Sequence, residues 1–237
     1  MFIESAELYD AIYFAFKDYE AEAADIAQRL RAAHAGARTV LDVGCGTGEH
    51  ARLLATRHGF EVDGLDRSAD FVRLARAKHP AGEFYLGDMV DFAIPTRYDA
   101  IISMFSSIGY VQTLPKLEQA FTSFRKHLMS DGVVMVEPWF PPGVLTTGHH
   151  STRSADIDGI HVERAGSMVI EGRISQLRFD YTITEAGHTR QATEIHELGL
   201  FTEAETLQAF SAAGLTAVHH AASPGNRGLY VARAETG

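Results

Sequence analysis

Cysteine is nearly absent: Cys45 stands alone in 237 residues. An intrachain disulfide and any multi-cysteine metal site are thereby excluded, and a reducing cytoplasm is the expected setting. Long apolar runs are missing too. Stretches such as Val133–Val136 and Ala100–Ile102 fall far below the roughly 18 residues that a membrane span requires. The opening MFIESAELYD carries acids where a signal peptide carries lysines, and no apolar segment follows it. Basic residues are in deficit, 21 Lys and Arg against 31 Asp and Glu, for a net charge of −10. That balance opposes the cationic footprint that neutralises the phosphates of DNA or RNA. It still admits a small anionic ligand, which needs only a local cationic pocket. What is present is ordinary: 46% hydrophobic and 22% charged residues, enough for one domain, or one with a lid, around a full core.

Residues 1–35 read as helical, and Asp18–Ala33 spaces its apolar positions at helical intervals. Thr39–Val43 is a short apolar run ended by Gly44-Cys45-Gly46-Thr47-Gly48, after which helix-forming composition resumes over Glu49–Arg57. Strand, glycine turn and helix follow from that order. Glu61–Leu65 is a second strand closed by Asp66. Ser68 stands where an N-cap would open a helix over Ala69–His79, and Pro80 follows its end. Further strands are expected over Glu83–Leu86, Tyr98–Ser103 and Gly132–Glu137, with a helix over Leu114–Leu128 between the last two. The alternation implies right-handed crossovers and an α/β, doubly wound, mostly parallel sheet. From about Ser151 to Leu200 the pattern becomes period-two, as in Ile174–Thr184, with glycine turns between segments; an antiparallel subdomain over the sheet is expected. Helix returns over Phe201–Ala213, and Thr216–Ala221 and Gly228–Ala232 read as closing strands around Ser223–Asn226. The expected organisation is a helical cap at 1–35, a cofactor-binding α/β domain at 36–148 and 201–237, and an antiparallel substrate-side subdomain at 149–200.

In open α/β sheets ligands bind at the carboxyl ends of the strands, so LDVGCGTG is the place to look. Its glycines at 44, 46 and 48 permit positive φ and a close backbone approach to a ligand. A dinucleotide fingerprint would place its third glycine where this chain has Glu49. An acid at a helix mouth that should receive a pyrophosphate is unfavourable, which argues against a nicotinamide dinucleotide. Asp42 can attract an ammonium group. Asp66 can accept hydrogen bonds from both ribose hydroxyls, and Asp88-Met89 offers a carboxylate for an exocyclic amine beside a soft side chain for a ring. S-adenosylmethionine satisfies all three. Each residue alone could be a plain turn residue; the ordered set at successive strand ends favours the cofactor.

LDVGCGTG, Asp66 and GDM at Gly87–Met89 resemble the cofactor motifs of class I S-adenosylmethionine-dependent methyltransferases, over about residues 38–137. More narrowly, AELYD (Ala6–Asp10), KDY (Lys17–Tyr19), MFSSIGY (Met104–Tyr110), DGVVMVEPWF (Asp131–Phe140), LF at Leu200–Phe201, AAGL (Ala212–Leu215) and PGNRGLY (Pro224–Tyr230) resemble the N,N-dimethyltransferases of nucleotide-linked (dTDP) deoxyaminosugars in antibiotic biosynthesis. This narrower resemblance spans nearly the whole chain. It implies a seven-stranded Rossmann-like sheet with N-terminal helices and an antiparallel β insertion after the fifth strand, S-adenosyl-L-methionine as cofactor, and a small-molecule amine as substrate. It also implies residue roles. Tyr9 and Tyr19 would close over the methionine end of the cofactor, Met104 would line its pocket, and Gly44, Gly46 and Arg67 would complete the cofactor contacts. Ser107 and Arg227 would hold the nucleotide diphosphate, while Tyr110 and Trp139 would face the sugar. The chain departs from that family at Ala15-Phe16, where a glycine–lysine pair often precedes KDY, and at PGNRGLY, which replaces PSGRGLF. Both lie on the substrate-facing side and bear on which amine is accepted.

Methyl transfer from a sulfonium to an amine leaves a neutral thioether, so no leaving-group acid is required, and alignment of a neutral amine is the main task. A proton acceptor helps when the amine arrives protonated and between two successive methylations. Tyr110 is a candidate for orienting the amine, with a rim aromatic as the plain alternative; a phenol is a poor base at neutral pH. His196 has the intrinsic basicity of a proton acceptor, or is one of 12 histidines filling the antiparallel segment. Glu137 is either a contact for a polar group of the substrate or a structural hydrogen-bond acceptor. Trp139 is a core plug or an apolar wall for the acceptor, and the resemblance favours the wall. Arg227 is the single cation assigned to phosphate, through its planar fork. His149-His150 lack partners at ligand-like spacing, so no metal is expected. The alternatives are an N-methyltransferase for an amino acid, peptide or other natural-product amine, and a non-catalytic cofactor-binding module. A homodimer is compatible with this reading.

Overall fold

The computed structural model describes residues 6–14, 17–157, 159–222 and 227–234. Two helices, α1 (Ala6–Phe14) and α2 (Tyr19–Ala33), lead into β1 (Thr39–Val43), α3 (Glu49–His58), β2 (Glu61–Asp66), α4 (Ala69–Lys78), β3 (Phe84–Leu86) and β4 (Tyr98–Ser103). A 3₁₀ turn, Ser107–Val111, precedes α5 (Leu114–Lys126) and β5 (Leu128–Val136). Four long strands follow: β6 (His150–Ile157), β7 (Ile160–Glu171), β8 (Ile174–Glu185) and β9 (His188–Gly199). The chain then returns through α6 (Glu203–Ala212), β10 (Leu215–His220) and β11 (Leu229–Ala234).

The main sheet has seven strands in the order β10-β11-β5-β4-β1-β2-β3. Its β3-β2-β1-β4-β5 portion is parallel, and β11 and β10 are added antiparallel at one edge. Strand order reverses between β1 and β4, so their carboxyl ends flank the crevice where such sheets bind ligands. One face of the sheet packs on α2 and α3 through Ile26, Leu30 and Leu54; the other packs on α5 and α6 through Phe121, Phe124 and Phe210. The rings of Phe121 and Phe210 stack at 3.8 Å and lock α5 to α6. The antiparallel insertion after the fifth strand is a separate sheet in simple hairpin order, β6-β7-β8-β9. Val162, Tyr181 and Ile183 on its inner face pack against Ile12 of α1.

Local signals position most element ends. Ser68 caps α4, its Oγ accepting from the Phe71 amide at 3.4 Å. The last of the helices starts two residues later than its composition suggested, because Thr202 and Glu205 form a reciprocal capping box there. The largest boundary difference is in β5, which was expected to begin at Gly132 and begins at Leu128. Tyr98 pairs with Leu128, then the register jumps so that Ala100 pairs with Val133. The polar Ser130-Asp131-Gly132 bulge hides this continuity from a hydrophobicity pattern. Ala15-Phe16 and Ser223–Asn226 lie outside the described residues. No described helix is long and apolar enough to cross a membrane.

Candidate active site

A cavity of about 1290 Å³ lies between the carboxyl ends of the main sheet, the inner face of the second sheet and α1. Single-ligand pockets run to about 1,000 Å³, so this one has room for two molecules side by side. Five arginines and lysines (Arg67, Lys116, Arg153, Arg164, Arg227) and three acids (Asp66, Asp88, Glu197) line it. The cavity is thus locally cationic within a chain of net charge −10.

The glycine turn after β1 forms one wall. Gly44 sits at φ +77°, and a Cβ there would come within 2.6 Å of the Ser107 Cβ, so the turn and the 3₁₀ segment approach too closely for a side chain. Ser107 donates its hydroxyl hydrogen to the Gly44 carbonyl at 3.2 Å. At Gly46 (φ +54°) a Cβ would meet no atom within 4 Å; the backbone there borders open cavity. Asp66 at the end of β2 spans the turn, accepting from the Gly46 amide at 2.9 Å and the Ser68 amide at 2.8 Å. Burial nonetheless raises its carboxyl above the usual range. Beneath the turn Asp42 is only 2% exposed, and its Oδ2 has no hydrogen-bond partner among the described residues. Burial pushes this carboxyl up to about 6, with His50 drawing it down and Asp66 adding to the rise. Asp88 and Met89 lie on the same side of the cavity, where the Asp88 carboxylate accepts from the Val90 amide at 3.1 Å. A buried carboxylate with one oxygen unpartnered among the described residues, a side-chain-free backbone edge and a carboxylate spanning the turn suit a cationic, hydroxyl-bearing and phosphate-free cofactor.

The 3₁₀ turn and β9 meet on the opposite wall. Tyr110 is within 3.0 Å of His196 Nδ1, and His196 Nε2 lies 3.5 Å from Glu194. The Arg67 guanidinium stands 5.4 Å over the Tyr110 ring. Burial raises the Tyr110 phenol well above its ordinary value, in keeping with a hydrogen-bonding group that stays protonated. Trp139 lines the cavity and donates its indole N–H to Ser175 at 2.7 Å, which fixes the ring as a wall. Arg227 donates to Glu137 at 2.6 Å, and its Nε is buried with no hydrogen-bond partner among the described residues.

Several residues stand elsewhere than expected. Tyr19 does not line the cavity: its ring packs edge-on against Phe14 and His50, each at 5.2 Å, because α2 begins there and turns the side chain toward α3. Tyr13 lines the cavity beside Tyr9, the two rings 4.3 Å apart. The i, i+4 spacing of Tyr9 and Tyr13 on one helix face was the available signal. Met104 is 8% exposed and belongs to the core behind the wall. Glu137 is engaged within the protein, accepting from the Phe105 amide at 2.7 Å as well as from Arg227. It thereby holds Phe105 and Ser106 in left-handed conformations, at φ 52° and 61°, with Ser106 also donating to the Pro138 carbonyl at 2.7 Å. Such backbone persists only where its surroundings over-determine it. Arg153 and Arg164, on β6 and β7, carry no mark of a site in the sequence, since alternating charged residues in a hairpin read as a solvated face; the docking of the second sheet buries Arg164 and leaves the exposed Arg153 bordering the cavity.

A Methyltransferase domain model matches residues 40–132. The dTDP-3-amino-3,4,6-trideoxy-alpha-D-glucopyranose N,N-dimethyltransferase of Streptomyces venezuelae is 38% identical over 97% of this chain and 97% of its own. Among solved structures, Streptomyces venezuelae DesVI superposes with a TM-score of 0.93 at 37% identity, covering 98% of this chain and 99% of that one. CalS10, an S-adenosylmethionine-bound amino pentose methyltransferase from Micromonospora echinaspora, superposes with a TM-score of 0.86 at 32% identity, covering 95% of each chain. Fold, glycine turn, strand-end acids and full-length relatives agree: the chain belongs to the class I S-adenosylmethionine-dependent methyltransferases, in the family of the aminosugar N,N-dimethyltransferases.

Proposed function

We propose that the protein dimethylates the amino group of a dTDP-linked deoxyaminosugar. The observation that carries this reading is the two-part charge of the cavity: acids by the glycine turn, and arginines brought in by the second sheet and by the loop before β11. A cationic cofactor suits the first part and a nucleotide diphosphate the second. Arg227 supports the assignment, since its buried Nε lacks a partner among the described residues and a phosphate oxygen would satisfy it. Arg153 and Arg164 add two further cations to the same cavity.

In this reading Asp66 holds the ribose hydroxyls, Asp88 and Met89 the adenine, and Gly44 and Gly46 the backbone edge along which the cofactor lies. Asp42 attracts its ammonium end, Tyr9 and Tyr13 roof it, and Arg67 lies beside it. Ser107, Arg164 and Arg227 face the acceptor's phosphates, Trp139 forms the wall of its sugar, and Tyr110 orients its amine. The bound cofactor supplies a methyl group on a sulfonium, a leaving group that needs no acid. The protein's own contribution is approximation, holding the amine nitrogen at near-attack distance and excluding water. Incubation with the cofactor and a panel of dTDP-linked aminosugars should yield a product heavier by two methyl groups. Turnover of an amino acid or peptide amine, with every aminosugar unchanged, would overturn the substrate assignment. Tight cofactor binding without turnover of any amine would overturn catalysis itself.

The Asp42 assignment carries its own pH signature. With its carboxyl titrating near 6, proton uptake below that value removes the charge that attracts an ammonium group. Cofactor affinity should therefore hold above pH 7 and fall by up to about tenfold on going to about pH 5. Calorimetry on Asp42→Asn should show weaker binding with that pH dependence flattened. An unchanged dependence in the variant would remove Asp42 from the site.

A further inference from the structure

We propose that Tyr110, His196 and Glu194 form one proton-transfer chain that takes the proton from the substrate amine, with Glu194 as the positioning residue behind His196. The inference rests on the amine-methylating reading above. Its basis is a continuous line of side chains from the cavity into the second sheet. Tyr110 lines the cavity and lies 3.0 Å from His196 Nδ1. His196 Nε2 is 3.5 Å from Glu194 Oε2, and Tyr181 donates to that same oxygen at 3.1 Å. His196 also borders the cavity, yet the line is nearly dry: His196 and Glu194 are each 3% exposed, and Tyr181 is 2%.

The direction of the chain follows from its chemistry. His196 Nε2 stands at ion-pair distance from Glu194 without hydrogen-bond geometry, and the field of a carboxylate favours a hydrogen on the nitrogen that faces it, so Nδ1, within hydrogen-bond reach of Tyr110, keeps its lone pair. Tyr110 is then the donor to His196, and its own oxygen retains lone pairs on the cavity side. An ammonium nitrogen presented to that oxygen passes its proton to Tyr110 Oη as the phenolic proton moves to His196 Nδ1. One N–H bond of the amine and the original tyrosine O–H bond break, while a new O–H and a new imidazole N–H bond form. The result is a neutral amine, a neutral tyrosine and an imidazolium beside a carboxylate, with no electrons gained or lost. Tyr110 never becomes a phenolate, so its burial is no obstacle. The imidazolium returns its proton to water when the site opens for product release. A dimethyltransferase needs this twice, because a primary amine arrives protonated near neutral pH and the monomethylated product again carries a surplus proton.

Other charged or titratable groups surround the chain on every side. Tyr13 of α1, with Asp66 at the end of β2 and Arg67 just after it, acts on Tyr110; Tyr13 and Arg164 of β7 act on Tyr181 of β8. None of these provides the hydrogen-bonded path from the cavity that Tyr110 and His196 do.

The test is the pH dependence of kcat with saturating aminosugar and cofactor, product mass being read for one and two methyl groups. Wild type should be nearly flat from about pH 7 upward. Tyr110→Phe, His196→Gln and Glu194→Gln should each lose at least about tenfold at pH 7, accumulate monomethylated product, and recover as the pH passes the point where the amine is neutral in bulk water. A loss that is equal at all pH values, or no loss at neutral pH, would overturn the proposal. Nitrogen NMR of wild type, with His196 identified by its absence in His196→Gln, reads the chain without turnover. The Nε2–H tautomer is expected, and an Nδ1–H tautomer would overturn the direction of the relay whether or not Glu194→Gln folds. Failure of wild type with every aminosugar would instead sink the substrate reading, and the tautomer measurement still decides the chain.

Discussion

Replacing Gly44 by alanine is expected to cost about 2–4 kcal/mol of stability and more than about a hundredfold in cofactor affinity. Two costs combine at this position. The backbone is at φ +77°, and the new methyl carbon would stand 2.6 Å from the Ser107 Cβ and 2.8 Å from its Oγ. Ser107 cannot simply withdraw. Its hydroxyl is bonded to the Gly44 carbonyl, and the two residues before it are held at positive φ by Glu137 and Pro138. Relief of the clash therefore moves the glycine turn and the 3₁₀ turn apart, and with them both walls of the cavity. Gly46→Ala is the informative control, since no atom lies within 4 Å of its Cβ position. It should lose about 1 kcal/mol of stability from its left-handed backbone, while affinity falls because the methyl group enters ligand space. Thermal unfolding and cofactor calorimetry on both variants separate the two effects. Full cofactor affinity in Gly44→Ala would show that the close approach of the turns is dispensable.

The second large effect is expected at Arg227. Its ion pair with Glu137 is mostly buried, with side chains 13% and 6% exposed. Arg227→Ala strands a carboxylate in the protein, and breaking such a pair from one side costs about 3–5 kcal/mol. Loss of activity in that variant would accordingly say little about substrate. The double variant Arg227→Ala/Glu137→Gln removes the stranded charge, and the glutamine amide oxygen can still accept from the Phe105 amide. Stability should largely recover, while KM for a dTDP-linked sugar stays raised by about 10- to 100-fold, the worth of one charge-assisted phosphate contact. An unchanged KM in the double variant would make Arg227 a structural residue and favour an acceptor without phosphate.

The parts of the site that were legible share a property: each is encoded by residues adjacent in sequence. Asp66 and Asp88 sit at strand ends, and a strand end is visible as the place where an apolar run stops. The glycine turn announces itself because left-handed backbone selects its own residue type. Strand Tyr98–Ser103 was placed to the residue, since both ends are marked by a change of pattern. That Tyr13 and not Tyr19 lines the cavity is not legible, because composition cannot say which way a side chain turns between two helices. For Glu137 the sequence leaves a substrate contact and a structural acceptor equally open, because the partners that engage it, Phe105 and Arg227, are separated from it by 32 and 90 positions. The left-handed Phe105 and Ser106 carry no sequence mark, because neither residue type prefers that conformation and only tertiary bonds impose it.

Sequence alone determined the order of strands and helices, the phosphate-free character of the cofactor end and the family. Those follow from local periodicity, turn chemistry and the spacing of acids along one chain. Tertiary structure decided where the positive charge lies. Arg153 and Arg164 on the second sheet, Lys116 on α5, Arg67 just after β2 and Arg227 before the last strand converge on one cavity only because the two sheets close on each other. It likewise joined Tyr110 to His196 across 86 positions. A net charge is a sum over residues and can be read from composition. An electric field at a site depends on distances, and those exist only once the chain has folded.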